Sequence, residues 1–170
     1  MTDLKPVRIA EDEHGARSDY ENIQVDKDLG TLDWVISEED IQKQCRIDED
    51  YDPAYCLDSK YGGVIAPPQI QYRPPRWLLS RNYNVRGVFY QWDFENLGPM
   101  KPDVPITVSG KIADKWIKRG REYVSFESSG TDPDGNVVFK TRRTHVLDMV
   151  TRDAPRGGRG LDSGVKNEKL

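Results

Sequence analysis

Nucleophilic hydrolysis of the Ser-His-Asp or Cys-His kind needs an imidazole base, and the chain holds only two histidines, His14 near one end and His145. His145 follows Arg142-Arg143-Thr144 in a run of strand-forming residues. It therefore reads as a strand residue that holds a hydrogen bond, not as a base. Metal chemistry meets a similar shortage. Cys45 and Cys56 are the only cysteines and form no CxxC pair, so neither a disulfide nor a structural zinc is expected. The acid-rich stretch 48–58 has the oxygen ligands calcium needs, but Pro53 interrupts it and the Gly-centred twelve-residue spacing is missing.

Two neighbouring stretches carry unusual charge. From Asp33 to Asp58 there are nine acids and two bases, whereas Gln69 to Arg86 contains Arg73, Arg76, Arg81 and Arg86 and no acid. Tyr72, Trp77 and Tyr83 lie among those arginines. Guanidinium groups with aromatic faces suit the phosphates of a nucleotide-like ligand or an acidic surface, which makes Arg73 and Arg76 candidate ligand contacts. A solvated helix face fits the same pattern.

The elements that must position these residues fit one domain. The chain has 170 residues, 36% of them apolar, and a formal net charge of −4, which argues against both a basic nucleic-acid binder and a uniformly acidic disordered chain. Apolar runs reach about four residues, as at 63–66, so no membrane span and no signal peptide are read, and a cytoplasmic location is expected. Residues 1–19 and 151–170 lack periodic apolar positions and are expected to be flexible tails around a folded unit at 20–150.

Ser37 with Asp40 resembles a capping box and predicts a short helix to about Ile47. The acidic loop after it should be extended before Pro53. Val64-Ile65-Ala66 is expected to open a second helix carrying Trp77, Leu78 and Leu79, with Pro74 and Pro75 kinking or dividing it. Val88, Tyr90, Trp92 and Phe94 alternate with polar residues as in a half-buried strand, and Ile106, Val108, Gly110 and Ile112 repeat the pattern. Strands over 123–129 and 137–147 flank Asp132-Pro133-Asp134-Gly135-Asn136, a hairpin signal. Helices first and antiparallel strands second predict an α+β domain, with helical material against one sheet face. Neither GxGxxG nor GxxxxGK[ST] occurs, which excludes Rossmann and P-loop folds. A lone curved sheet leaves free strand edges, so a dimer or higher oligomer is expected, with Trp34, Trp77, Trp92 and Trp116 in core or interface.

Asp50-Tyr51-Asp52-Pro53-Ala54-Tyr55, followed by Asp58-Ser59-Lys60-Tyr61-Gly62-Gly63-Val64-Ile65-Ala66-Pro67-Pro68, resembles the hydratase loop of MaoC-like dehydratases. Arg119 to Val124, the Asp-Gly hairpin and Arg143 to Leu147 extend the likeness over about 20–150, toward the N-terminal MaoC dehydratase type. The resemblance implies a hot-dog fold, in which an antiparallel β-sheet wraps a central helix. It also implies a lyase-type activity, hydration or dehydration of an acyl-CoA or related thioester in a tunnel between two such units. A homodimer or a heteromer with a second hot-dog subunit follows, with no cofactor, metal, nucleic acid or membrane.

The family loop reads D-x-N-P-x-H, so the resemblance assigns the catalytic Asp to Asp50 and places Asp52 on the Asn and Pro53 on the Pro. Tyr55 stands where His is expected. A phenol with a pKa near ~10 accepts protons poorly at neutral pH compared with an imidazole near ~6.5. The family's oxyanion glycine falls on Pro67, or on Pro68 one register later, and neither has an amide hydrogen. Loss of one such donor typically costs on the order of 100- to 1000-fold in rate. Asp52, Gly62, Gly63, Val64, Ile65, Ala66, Arg73 and Arg76 complete the expected substrate contacts. Two other outcomes are open: an isomerase or cyclase using Tyr55 as acid and Asp50 as base, and a non-catalytic binding or assembly module.

Overall fold

The computed structural model describes residues 19–83, 85 and 87–147. Apart from Asp19, the expected tails at 1–19 and 151–170 lie outside the described residues. Ser37 caps α1 (Glu38–Asp48) as its spacing predicts: its Oγ accepts from the Asp40 amide at 3.1 Å, and the Asp40 carboxylate accepts from the Ser37 amide at 3.2 Å. Acids at 38, 39 and 40 favour the positive end of the helix dipole, and Ile41 and Cys45, four residues apart, turn one face into the core. Replacing Ser37 with Ala is expected to cost about 1 kcal/mol, read as a lower urea midpoint at unchanged slope. An unchanged midpoint would show that the cap is not formed in solution.

The expected helix start at Val64-Ile65-Ala66 is corrected. The Ile65 amide donates to the Ala54 carbonyl at 3.0 Å and the Ala66 amide to the Met100 carbonyl at 2.8 Å, so this segment joins two loops. Pro67 is extended (φ −62°, ψ 141°), as a residue before proline prefers, and helical structure begins with a 3₁₀ segment at Pro68–Tyr72. It continues as α3 (Arg73–Asn82). Pro74 and Pro75 stand in the first turn of α3, where the N–H groups they lack would have no intrahelical partner, so they mark the change of geometry without kinking the helix. Likewise the acidic loop is not extended throughout, because Pro53–Cys56 forms a single helical turn, α2, with proline at its first position.

Five antiparallel strands form one sheet: β1 (Asp28–Trp34), β2 (Gly87–Asn96), β3 (Ile106–Lys118), β4 (Arg121–Thr131) and β5 (Val137–Leu147), in the spatial order β1-β3-β4-β5-β2. Strands do not all follow the helices, since β1 precedes α1. Gly30 (φ 79°) and a register shift between Asp28 and Thr31 break the alternation there, so Leu29, Leu32 and Trp34 reach the core without a period of two. The β4–β5 connection matches its signal: the Asp132 carboxylate accepts from the amides of Asp134 at 3.0 Å and Asn136 at 2.8 Å, and Gly135 adopts φ 86°.

α3 lies against one face of the sheet. Leu78 and Leu79 of the helix join Val108, Ile112, Val124, Phe126 and Phe139 of the strands in the core, and Asn82 Nδ2 fastens the end of α3 to the Leu29 carbonyl at 2.8 Å. The opposite face is polar. Registered neighbours Asp93, Arg142, Glu127 and Lys111 alternate in sign across four strands, with Arg142 paired to Glu127 at 3.0 Å.

The expectation of a half-buried β2 also needs correction. Only Trp92 is shielded, while Val88, Phe89, Tyr90 and Phe94 of this edge strand are exposed. A register shift between Phe89 and Gln91 changes the facing as well: Phe89 and Trp92 both pack on Tyr72, whereas Tyr90 leans on Tyr123. No helix among the described residues is long and apolar enough to cross a membrane.

Candidate functional site

Glu49 ends α1 in a left-handed conformation (φ 54°), and the Asp50 amide then donates back to the Cys45 carbonyl at 3.0 Å. This places Asp50 at the bend between α1 and α2. Its carboxylate accepts from the Asp52 amide at 3.3 Å, and the Asp52 carboxylate caps α2 by accepting from the Ala54 amide at 2.8 Å. Asp52 is therefore a cap for the turn that carries Tyr55. Tyr55 is half-buried and packs on the hydrophobic core.

Burial pushes the Tyr55 phenol above its usual range, and the Asp50 and then the Asp52 carboxylates push it further. Those two acids and the phenol thus share one electrostatic cluster. A phenol in this setting stays protonated at neutral pH, the form that can donate. Cys45 borders the cluster, its thiol raised first by burial, then by the neighbouring Cys56 thiol and by Asp50.

The loop that follows is held closed by its own backbone. Gly62 and Gly63 take φ values of 76° and 85°, the Gly63 amide donates to the Asp58 carboxylate at 2.7 Å, and the Gly62 amide to the Ser59 carbonyl at 3.0 Å. With the Ile65 and Ala66 amides also engaged, four of the five donors in 62–66 hold structure together. Val64 and Ile65 are half-buried, Ala66 is buried, and Val64 packs on the core. Past the two prolines, the first backbone N–H belongs to Gln69.

The two candidate arginines part company. Arg73 ties α3 to α1, donating to Gln44 Oε1 at 3.2 Å and facing Asp40 at 3.9 Å. Arg76 turns inward, donating to Ser80 Oγ at 2.9 Å and to the Val85 carbonyl at 3.2 Å, and burial lowers its pKa. Its charge bears on a residue outside the expected site, Arg143 of β5, which is fully buried. Arg143 Nη1 donates to the Tyr72 carbonyl at 2.6 Å, with its guanidinium carbon 4.0 Å from the centre of the Tyr72 ring. The signal for it is the alternation Phe139, Thr141, Arg143, His145, Leu147, which puts Arg143 on the helix-facing side of its strand.

His145 lies between the rings of Phe89 and Phe126, at 5.8 and 5.7 Å. Its Nδ1 is buried without a hydrogen-bond partner, which corrects the expectation of a satisfied imidazole. Burial, followed by repulsion from Arg143 and Arg76, lowers its pKa to about 3. The imidazole is thus neutral in the folded protein.

Cavities on the described residues include one of about 650 Å³ over the polar face of the sheet between Asp93 and Arg142, and one of about 580 Å³ between Leu97 and the β4–β5 turn. Asp50 and Tyr55 line neither of these two.

Neither a family model nor a curated protein matches the sequence. Solved structures do match the fold. A monoamine oxidase regulatory protein from Archaeoglobus fulgius superposes with a TM-score of 0.65 at 18% identity, over 77% of this chain and 94% of that one. The R-hydratase PhaJ1 from Pseudomonas aeruginosa gives 0.63 at 14%, over 83% and 96%. One chain of the truncated HadBC 3R-hydroxyacyl-ACP dehydratase complex from Mycobacterium tuberculosis gives 0.57 at 15%, over 73% and 100%. Other matches are described as MaoC-like dehydratases. The fold is accordingly the hot-dog fold of MaoC-like dehydratases and R-hydratases, an α+β architecture.

Proposed function

We propose that this chain is a hot-dog subunit of a hydratase/dehydratase for acyl-CoA or a related thioester, with Asp50 as base and Tyr55 as proton donor. The observation that carries this reading is the electrostatic coupling of Asp50 and Tyr55 across one short turn, in which a carboxylate helps to hold a phenol in its protonated form. In hydration, the water oxygen bonds to the β-carbon of an enoyl thioester as Asp50 takes one of its protons. The Tyr55 phenol gives its proton to the α-carbon, and Asp50 then returns a proton to the phenolate. Water has been added across the double bond and both side chains are restored.

A second subunit belongs to this reading. Pro67 and Pro68 offer no amide to the thioester carbonyl, and the nearby amides are engaged. A partner hot-dog unit supplies the missing donor and covers the exposed apolar edge of β2, where Val88, Tyr90 and Phe94 stand along an edge of the sheet. A homodimer and a heteromer with a more complete hot-dog chain are the two forms this takes. The test is hydration of a panel of enoyl-CoA thioesters by the protein alone and together with hot-dog chains that copurify with it. Turnover is expected in at least one combination. Absence of both turnover and thioester binding in all of them overturns the proposal.

A further inference from the structure

The strongest unexplained feature away from the Asp50–Tyr55 cluster is the guanidinium of Arg143. It is fully buried, yet Nε and Nη2 have no hydrogen-bond partner. Its one bond, from Nη1 to the Tyr72 carbonyl, occupies the end of the group and leaves the edge shared by Nε and Nη2 bare. That edge presents two parallel N–H donors, the fork that receives a carboxylate in bidentate fashion.

The surroundings sharpen the demand for an anion. Arg76 is a like charge bearing on Arg143, no carboxylate among the described residues acts on it, and a buried cation with no counter-charge is costly. Arg76 adds a second cation whose hydrogen bonds go to a hydroxyl and a carbonyl. Buried polar atoms without partners gather on the same elements: both amide atoms of Gln71, one residue before Tyr72, and Nδ1 of His145, two residues along β5. Water alone would hydrate such groups without neutralising them.

Shape selects the anion. Tyr72, Phe89, Phe126 and Trp92 stand around the guanidinium, with ring centres 4.0, 5.1, 5.8 and 6.0 Å from its central carbon. A carboxylate meets both donors of this fork at once in the plane of the guanidinium. Tyr72 and Phe89 are themselves exposed, so two of the rings around the fork also reach solvent.

We propose that the Nε–Nη2 edge of Arg143 is a binding site for the carboxylate of a small organic acid, free or at the far end of an acyl thioester. The site does not depend on the reaction assigned to Asp50 and Tyr55, and its test needs no turnover.

The experiment titrates the full-length protein with acetate, with succinate and with a succinyl thioester, using chloride and inorganic phosphate as controls. The readouts are the Arg143 side-chain Nε–H resonance and the melting temperature. The expected result is a saturable shift of that resonance and a rise in melting temperature with at least one carboxylate. Response to free succinate or acetate identifies a free-acid site. Response to the thioester alone identifies a carboxylated acyl chain. Arg143→Lys keeps the cation and loses the fork, so it should bind at least tenfold more weakly, while Arg142→Lys on the opposite face of the strand should bind like the unaltered protein. If Arg143→Lys does not fold, the titration of the unaltered protein still decides. No shift with any carboxylate, or an equal response to chloride or phosphate, overturns the proposal.

Discussion

Replacing Asp50 with Asn is expected to lower thioester hydration by on the order of 10²- to 10⁴-fold, the usual contribution of a positioned general base, equivalent to roughly 3–5 kcal/mol in the barrier. The substitution keeps an oxygen that can accept the 3.3 Å bond from the Asp52 amide, so the bend between α1 and α2 should survive. What it removes is the charge. Burial would still hold the Tyr55 phenol high, but the push from Asp50 would be gone, so the phenol should titrate at lower pH in the variant. The two measurements check separate steps. A drop in kcat with the downward shift in phenol titration supports the cluster and its role. Full activity would remove Asp50 from the chemistry even if the phenol shifts, and an unshifted phenol would mean that the carboxylate and phenol are not neighbours.

How much of this was legible in the sequence depended on whether a local rule acted alone. Ser37 and Asp40 satisfy each other across three residues, and nothing distant alters that bond, so the first helix could be read directly. The Asp132–Asn136 turn was legible for the same reason. At Gly30, and between Phe89 and Gln91, the register shifts, and a rule that assumes strict alternation loses one strand and assigns the wrong facing to another. Pro74 and Pro75 were legible as helix disruptors, but only their position in the first turn decides that they do not disrupt.

Arg143 shows a different limit. Charge marks arginine as a surface residue, while alternation along β5 places it inside, and tertiary packing resolved the conflict in favour of alternation. The price was a buried guanidinium with a bare edge, the kind of local inconsistency that marks functional sites. Asp50 and Tyr55 were named through a family resemblance, and neither residue type would have drawn notice by composition. Their neighbourhood, by contrast, follows from simple causes: Glu49 ends one helix in a left-handed turn and Asp52 caps the next, so the chain folds back within six residues.

The buried imidazole should make this protein sensitive to acid in a way that can be assigned to one residue. Folded His145 has a pKa of about 3, against 6.5 for the ordinary side chain, first because burial disfavours its cation and then because Arg143 and Arg76 repel it. Between those two values the unfolded chain binds a proton that the folded protein does not. Stability from this group is therefore fully present above pH 6.5, is lost as pH falls, and levels off near pH 3. The slope is about 1.4 kcal/mol per pH unit and the whole loss is roughly 5 kcal/mol, a large share of the stability of an ordinary domain. Carboxylates also titrate in this window, so the comparison is with His145→Phe, whose ring suits a place between Phe89 and Phe126 and carries no proton. From pH 7 to pH 4.5 the unaltered protein should lose about 2–3 kcal/mol more than this variant in urea unfolding, given two pH units of that slope. Equal losses would mean that the imidazole is solvated.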